Sequence, residues 1–459
     1  MIVLLNPDSK VEVVQRLGIS TPPLGLGYIA SVLRENGFSV KIIDNMVERL
    51  SPEELMKRIE GSSILGISVT TPAFKKALYY AKEIKKRFQD IIIIFGGPHA
   101  SFTPHEILRN DCVDAVCIGE GEETMLEVAE KVEIGESLEN VRGVVYREDG
   151  RIVENERREF IENLDFLPFP AFDLMPLEKY SLFGERLGHF PMITSRGCPF
   201  GCRYCVSSAL FGRRFRARSA ENVVDEMEWL VNEFQADRIA FSDDTFTLDK
   251  RRVERICEEI LRRGLDVEWT CTSRIDTVSD ELLRKMKKAG CTHIYYGVES
   301  ASERVLEYYG KGIKLEDVKR VVEMTKEEGL SVTCSFIIGA PFETKEEMMK
   351  TLRFSIELNP DYAQFSLLTP YPGTEIYEEL KEKGLLLSED YDEFTAVNPV
   401  LKNENLSSEE LSSMLKECYL KFYLRPKLLF EKFRRGDLGI LIKMFRNVRE
   451  SFRTQEAPL

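Results

Sequence analysis

Over the first 135 positions, hydrophobic residues fall into short continuous runs separated by stretches of helical period. Ile2–Leu5, Val40–Asp44, Ile64–Val69, Ile91–Phe95 and Ala115–Ile118 read as buried strands. Leu24–Asn36, Pro52–Ile59, Ala73–Phe88 and Glu122–Val132 place apolar residues on one helical face. This alternation predicts an α/β doubly wound sheet, with parallel strands joined by helical crossovers. Over residues 136–190 the pattern changes. Val141–Arg147 and Ile152–Glu154 flank an Asp-Gly turn and predict a β-hairpin. The aromatic, proline-punctuated run from Leu164 to Phe172 then predicts an extended strap. From Met192 to about residue 370 the alternation resumes. The predicted strands are Met192–Ser195, Arg238–Ser242, Val267–Thr272, His293–Val298, Ser331–Ile338 and Tyr362–Leu368. Helical patterns at Ala220–Phe234, Lys250–Arg263, Asp280–Ala289, Ser302–Tyr309, Glu316–Glu328 and Lys345–Glu357 accompany them. Six βα repeats predict a curved, incomplete TIM-type (βα)6 barrel with its working residues at strand carboxyl ends. Residues 385–459 lose the rhythm and read as helical. The expected organisation is a sheet domain over 1–135, a linker over 136–190, a barrel over 191–384 and a helical region over 385–459.

A length of 459 residues fits two or three domains, and 43% apolar residues with 27 Phe supply cores for them. The net charge of −14 argues against a general nucleic-acid partner. The opening apolar run Met1–Leu5 meets Asn6-Pro7-Asp8 at once, too short for a signal peptide, and no later run approaches spanning length. The ten cysteines therefore read as reduced thiols of a cytoplasmic protein. Charge reverses near the end, where Lys416–Arg453 holds eleven Lys/Arg against four Asp/Glu. Pro426–Arg435 and Leu438–Arg453 interleave these bases with apolar residues. Such helices can lie on the anionic inner face of a membrane through residues 425–453, or form a packed cap whose bases are solvated.

The candidate chemistry begins at Cys198-Pro199-Phe200-Gly201-Cys202-Arg203-Tyr204-Cys205, a C-x3-C-x2-C run just after a predicted strand. Closely spaced thiolates hold iron–sulfur clusters, and a [4Fe-4S] cluster with three protein ligands leaves one iron open. Gly197 and Gly201 let the backbone wrap such a group. Structural zinc would want a fourth Cys or His nearby, and an odd trio does not make a disulfide framework. In the first domain, the loops expected on one sheet edge carry Pro23-Leu24-Gly25, Ser68-Val69-Thr70-Thr71, Gly96-Gly97-Pro98-His99 and Gly119-Glu120-Gly121-Glu122. Glycines at three of these four loops allow a large ligand to approach the backbone. No G-x-G-x-x-G follows the first strand, so a dinucleotide is not indicated.

The order Pro22-Pro23-Leu24-Gly25-Leu26, Gly96-Gly97-Pro98-His99, Gly119-Glu120-Gly121-Glu122 and then the cysteine triad resembles the cobalamin-binding-domain branch of the radical S-adenosylmethionine (SAM) enzymes, over residues 1–380. That branch includes hopanoid methylases and the anaerobic Mg-protoporphyrin cyclase. The resemblance implies a Rossmann-like cobalamin domain and a radical SAM barrel. It implies a [4Fe-4S] cluster on Cys198, Cys202 and Cys205, SAM, and cobalamin against the loops named above. SAM contacts would come from Asp243 and Asp244 for the amine, Arg274 for the carboxylate, Glu299 and Ser300, and Gly339 with Pro341 at the adenine; Tyr371 would face substrate. The implied reaction is reductive cleavage of SAM to a 5′-deoxyadenosyl radical. Methyl transfer to an unactivated carbon of a small molecule or lipid would follow, with a ferredoxin- or flavodoxin-type reductant. Radical cyclisation or oxidation without methyl transfer is the alternative.

One departure from the branch stands out. The cobalt-ligating D-x-H-x-x-G pattern is absent, since Asn6-Pro7-Asp8-Ser9-Lys10-Val11 holds no histidine. A methylthiotransferase would want a second cysteine trio, and the first 190 residues offer only Cys112 and Cys117. A non-catalytic corrinoid or cluster sensor is the rival outside enzymology.

Overall fold

The computed structural model describes residues 1–9, 20–182, 185–186 and 189–429. The chain forms two compact units: the first spans Met1–Leu187 and takes back Asp390–Asp392, and the second spans Gly188–Glu389 and resumes at Glu393.

In the first unit the apolar runs become β1 (Ile2–Asn6), β2 (Val40–Asp44), β3 (Ile64–Ser68), β4 (Ile92–Gly96) and β5 (Ala115–Cys117). All five are parallel, in the order β2-β1-β3-β4-β5. Val3, Leu5, Leu65, Ile67, Ile93 and Phe95 are buried in one continuous core with Ala77, Tyr80 and Ile84 of the helix Phe74–Arg87. The order reverses direction between β1 and β3, which opens a crevice beyond their carboxyl ends.

The linker hairpin does not stand apart. It forms β6 (Val144–Glu148) and β7 (Arg151–Glu154), added antiparallel to β5 with Ala115 opposite Tyr146 and Cys117 opposite Val144. A three-residue edge strand gains main-chain partners this way, so the first domain runs well past residue 135.

The strap is fastened within this same unit. Ala171 donates to the Gly27 carbonyl at 3.1 Å and Ser31 Oγ to the Phe169 carbonyl at 2.6 Å, against α1 (Leu24–Glu35). A Cβ on Gly27 would come within 2.7 Å of Met175 Cε, so this glycine makes room for the strap and not for a ligand. Farther along, the buried Tyr180 donates to Asp44 Oδ2 at 2.8 Å, and Asn6 Nδ2 donates to Asp44 Oδ1 at 2.9 Å. Burial raises the Asp44 carboxyl, and the Tyr180 and Asn6 hydrogen bonds oppose that rise.

The second unit is a six-stranded parallel sheet in simple sequential order. Its strands are β8 (His189–Met192), β9 (Arg238–Phe241), β10 (Glu268–Ser273), β11 (Cys291–Glu299), β12 (Ser331–Ile338) and β13 (Tyr362–Leu367). Each is followed by helix, which is the βα repeat expected. The first strand sits earlier than Met192–Ser195, because His189–Met192 is the part in register with Arg238–Phe241. The chain beyond turns away, and Ser195-Arg196 pairs instead with Arg216-Ala217. Side chains along β11 alternate: Ile294, Tyr296 and Val298 are buried, while His293, Tyr295 and Gly297 are half-exposed. The Tyr296 hydroxyl lies 3.0 Å from Thr325 Oγ1 on the helix Leu315–Glu327, so the buried set faces the helical layer.

β13 is an edge strand with main-chain groups to satisfy. Tyrosines of α2 (Ser408–Tyr423) do this. Tyr423 OH accepts from Ala363 N at 3.0 Å and donates to Ala363 O at 2.8 Å. Tyr419 OH accepts from Phe365 N at 3.2 Å and donates to Phe365 O at 2.8 Å. A covered edge cannot recruit another strand. Among the described residues no helix is long and apolar enough to cross a membrane. Of the basic helical stretches expected near the end, Leu438–Arg453 and most of Pro426–Arg435 lie outside the described residues.

Candidate active site

The cysteine loop leaves β8 and runs over the carboxyl ends of the strands beside it. Gly197 has φ +86, and a Cβ there would sit 2.2 Å from the Arg214 carbonyl oxygen, so only glycine fits. Cys198, Cys202 and Cys205 are half-exposed, whereas the other seven cysteines are all buried. Burial holds the Cys198 and Cys205 thiols above their ordinary range. Cys112 and Cys117 lie in the first unit's core, which gives them no part in a second cluster.

Three successive strand ends touch this loop. After β9, Thr245 Oγ1 lies 4.0 Å from Cys198 Sγ. After β10, Arg274 Nη1 lies 3.7 Å from Cys202 Sγ, and its guanidinium covers the Phe200 ring at 3.6 Å. At the end of β11, Glu299 Oε1 accepts from Tyr204 OH at 2.9 Å, and Tyr204 stands between two of the cysteines.

The predicted SAM contacts divide by what already occupies them. Asp243 is buried, with Oδ1 accepting from Thr194 N at 2.6 Å and Oδ2 from Ser195 Oγ at 2.7 Å, so it buttresses the start of the cysteine loop. Asp244 is the exposed member of the pair; its carboxyl is raised by burial around the charged group and by Asp243 and lowered by Ser207. Arg274 has its fork on Asp276 at 3.0 Å through both Nε and Nη2, and Nη2 also donates to the Lys311 carbonyl at 2.9 Å. Glu299 takes a left-handed backbone at φ +71 and pairs with Lys311 Nζ at 2.8 Å, both side chains nearly fully buried. A Cβ on Gly297 would lie 2.4 Å from Glu299 Oε1 and 2.7 Å from Lys311 Nζ, so this glycine leaves space for the pair.

Ser300 is turned inward, 3.2 Å from Thr351 Oγ1. Gly339 has φ +90, and the Gly339 and Ala340 amides donate to Glu343 Oε2 at 2.6 and 3.0 Å. Burial pushes the Glu343 carboxyl up to about 7. Asn403 Nδ2 and the Glu404 amide close the loop by donating to the Ala340 and Pro341 carbonyls at 2.7 Å each. Tyr371 donates its hydroxyl to the Phe394 carbonyl at 3.2 Å. Lys311, Tyr204, Thr245 and Glu343 belong to the site and were not picked out from sequence. Only Tyr204, between two cysteines, carried a local signal.

In the first unit the marked residues do share one sheet edge, with different roles. Gly25 and Gly119 have open space where a Cβ would stand, and Thr70 is exposed. Gly97, at φ +92, is needed where its Cβ would meet the Val69 backbone at 3.0 Å. Gly96 and Ser68 end their strands side by side, and Pro23 and Leu24 open α1. Gly121 packs on Ile29, Glu122 is buried in the first turn of its helix, and Glu120 accepts from the Ile161 amide at 2.8 Å. His99 is buried under Phe74 and Tyr391, with Nδ1 3.3 Å from Thr71 Oγ1 and Nε2 without a partner. Burial lowers its pKa to about 4, so it is neutral at physiological pH. His105 is exposed and paired with Glu154 at 3.0 Å.

Two family models match the chain in this order: the B12 binding domain over residues 12–129 and the radical SAM superfamily over residues 192–355. An uncharacterized methyltransferase of Pyrococcus horikoshii is 41% identical over 433 residues, 94% of each chain. The anaerobic magnesium-protoporphyrin IX monomethyl ester cyclase of Rubrivivax gelatinosus is 30% identical over 421 residues, 89% of this chain and 75% of its own. The chain is a B12-binding radical SAM enzyme. The fold agrees with that of the cobalamin-dependent SAM radical enzyme OxsB, whose structure with aqua-cobalamin and SAM aligns at a TM-score of 0.74, 19% identity, 97% of this chain and 71% of the other.

The residues present fit the groups such an enzyme carries. A cubane takes each thiolate at a separate iron, and this loop offers three half-exposed thiols with no fourth within it. At the sheet edge, no described atom lies within 4 Å of where a Cβ would stand on Gly25 or Gly119, so a ligand can approach the backbone there. The described histidines of this B12-binding radical SAM enzyme's first unit are either buried or paired away.

Breaking the Glu299–Lys311 pair by Lys311→Met leaves a buried carboxylate without its cation. The second unit should lose about 3–5 kcal/mol, read by tryptophan fluorescence in urea, while Lys311→Arg loses much less. The two tryptophans, Trp229 and Trp269, both report on this unit. In the first unit, His99 has a folded pKa near 4, below the unfolded value of about 6.5. The stability this provides is complete above about pH 6.5 and is lost as pH falls toward 4, by at most about 1.4 kcal/mol per pH unit. Hydrogen exchange of residues 91–102 should show that acid slope in the natural protein and a flatter one in His99→Gln.

Proposed function

We propose that this protein transfers a methyl group to an unactivated carbon of a small-molecule substrate, using a [4Fe-4S] cluster, SAM and cobalamin. The observation that carries this reading is the contact of three consecutive strand ends, through Thr245, Arg274 and Glu299, with one three-cysteine loop. The name of the Pyrococcus horikoshii relative supports methyl transfer. When bound, these groups supply reductive cleavage of SAM and a methyl carrier; the protein supplies position and a shielded site.

In this reading Cys198, Cys202 and Cys205 hold the cluster, and Asp243 and Arg274 keep their loop in place. Asp244 receives the methionyl ammonium and Glu299 with Lys311 the ribose or methionyl end. Gly339–Pro341, shaped by Glu343, presents backbone groups to the adenine. The corrinoid lies against Gly25, Thr70 and Gly119 without a cobalt-ligating histidine from the first loop. The face of the second sheet opposite the helices carries Thr272, Tyr295, Thr333, Ser335 and Gln364, all outside the buried core. That lining favours a substrate with hydroxyl or carbonyl groups over a wholly apolar lipid.

The cyclase relative keeps a second reading open, radical cyclisation without methyl transfer. Anaerobic turnover with SAM labelled in its methyl group separates the two. Methyl transfer predicts labelled product, S-adenosylhomocysteine and 5′-deoxyadenosine, all dependent on added cobalamin. Formation of 5′-deoxyadenosine with no labelled product favours cyclisation, and no SAM consumption with dithionite overturns both.

A further inference from the structure

Three residues of the first unit, Asp390–Asp392, arrive from far along the chain, with second-unit residues on either side of them. Asp390 pairs with Lys75 Nζ at 2.6 Å, and its Oδ1 accepts from the Asp392 amide at 2.9 Å, which closes a tight turn. That turn presents Tyr391, whose hydroxyl donates to Glu106 Oε2 at 3.0 Å. The Tyr391 ring meets His99 edge-on, 4.6 Å between centroids, and lies 5.8 Å from Phe74. Phe74 is itself 4.7 Å from His99.

His99 in turn ties strand ends together. Its amide donates to the Val69 carbonyl at 3.1 Å and its Nδ1 lies 3.3 Å from Thr71 Oγ1, both just after β3. Two residues on, Ser101 Oγ donates to the Gly97 carbonyl at 2.9 Å and accepts from the Gly119 amide at 3.0 Å, which joins the ends of β4 and β5. The segments after β3, β4 and β5 are thus one hydrogen-bonded piece, and it carries Thr70, Gly97 and Gly119. Within it the far side of the His99 ring is held by packing alone, since Nε2 has no partner and the residue is 1% exposed. A buried nitrogen left unpaired costs free energy, and water would reclaim it if the aromatic cover opened. Phe74 and Tyr391 are that cover, and Tyr391 is the member outside the B12-binding match over residues 12–129.

We propose that Tyr391 is a positioning residue for cobalamin: its ring holds His99, and His99 holds the strand-end segments in the arrangement the corrinoid meets. The proposal rests on the placement of the corrinoid at this edge given above. Segments fixed before a ligand arrives lose less freedom when it binds, so a loosened edge holds the ligand more weakly.

The test measures aqua-cobalamin binding to the full-length, cluster-loaded protein by equilibrium dialysis. Tyr391→Ala should raise the cobalamin Kd about tenfold, with the cluster absorbance as in the natural protein. In the cobalamin-free variant, hydrogen exchange should quicken at residues 97–103 and at Gly119. The His99 imidazole, followed by NMR, should titrate nearer its ordinary value than the value of about 4 that burial gives it in the natural protein. Tyr391→Phe keeps the ring and loses only the Glu106 bond, so its Kd should stay within about twofold. Tyr391→Leu keeps apolar bulk, which guards against a folding failure, and should raise Kd about threefold. An unchanged Kd in Tyr391→Ala together with faster exchange at 97–103 would overturn the proposal, because the edge would then loosen without consequence for the ligand. An equal rise in Tyr391→Phe and Tyr391→Ala would overturn it too, by assigning the effect to the Glu106 bond. No cobalamin binding by the natural protein would instead remove the corrinoid reading, and this proposal with it.

Discussion

Hydrogen bonding between parallel strands sends every carboxyl end to the same side of the sheet, and both units of this protein are organised by that constraint. In the second unit it brings Thr245, Arg274 and Glu299, from three neighbouring strands, onto a single cysteine loop. None of these contacts is close in sequence, since 47 to 95 positions separate the partners. The sheet supplies the proximity, and the loop glycines supply the freedom to use it.

Charge within the site is handled by pairing rather than by exposure. Lys311 neutralises Glu299, Asp276 occupies the Arg274 fork, and Asp243 is wrapped by the Thr194 and Ser195 donors. Removing two charges from water is expensive, and such pairs hold shape more than they add stability. Here they fix a loop whose chemistry needs three thiols in one place. Glu343 does comparable work for Gly339 and Ala340 by accepting both amides.

Much of this was legible in the chain. Strand runs and helical period located nearly every element, because apolar continuity and turn residues act locally. The first barrel strand lies earlier than the run Met192–Ser195 suggests, because the residues in register with β9 run from His189 to Met192. The hairpin at Val144–Glu154 read as a linker because nothing local says which strand edge is open. Asp243 and Ser300 read as ligand contacts from type and position alone; their actual partners, Thr194 and Thr351, are 49 and 51 residues away. Lys311 carries no local signal: its importance lies in meeting Glu299, 12 positions back across the helix Glu303–Tyr308. Nothing local marks Tyr419 and Tyr423 as the residues that cover β13, because their partners lie 54 and 60 positions away.

The central claim is that three thiolates leave one iron free to be chelated by SAM. Pulsed electron–nuclear double resonance on the dithionite-reduced protein, with SAM isotopically labelled at the amine nitrogen, addresses it directly. The account predicts a nitrogen coupling to the cluster that appears with labelled SAM and vanishes in Cys202→Ala. A reduced cluster of full intensity that shows no coupling to the SAM nitrogen would contradict it.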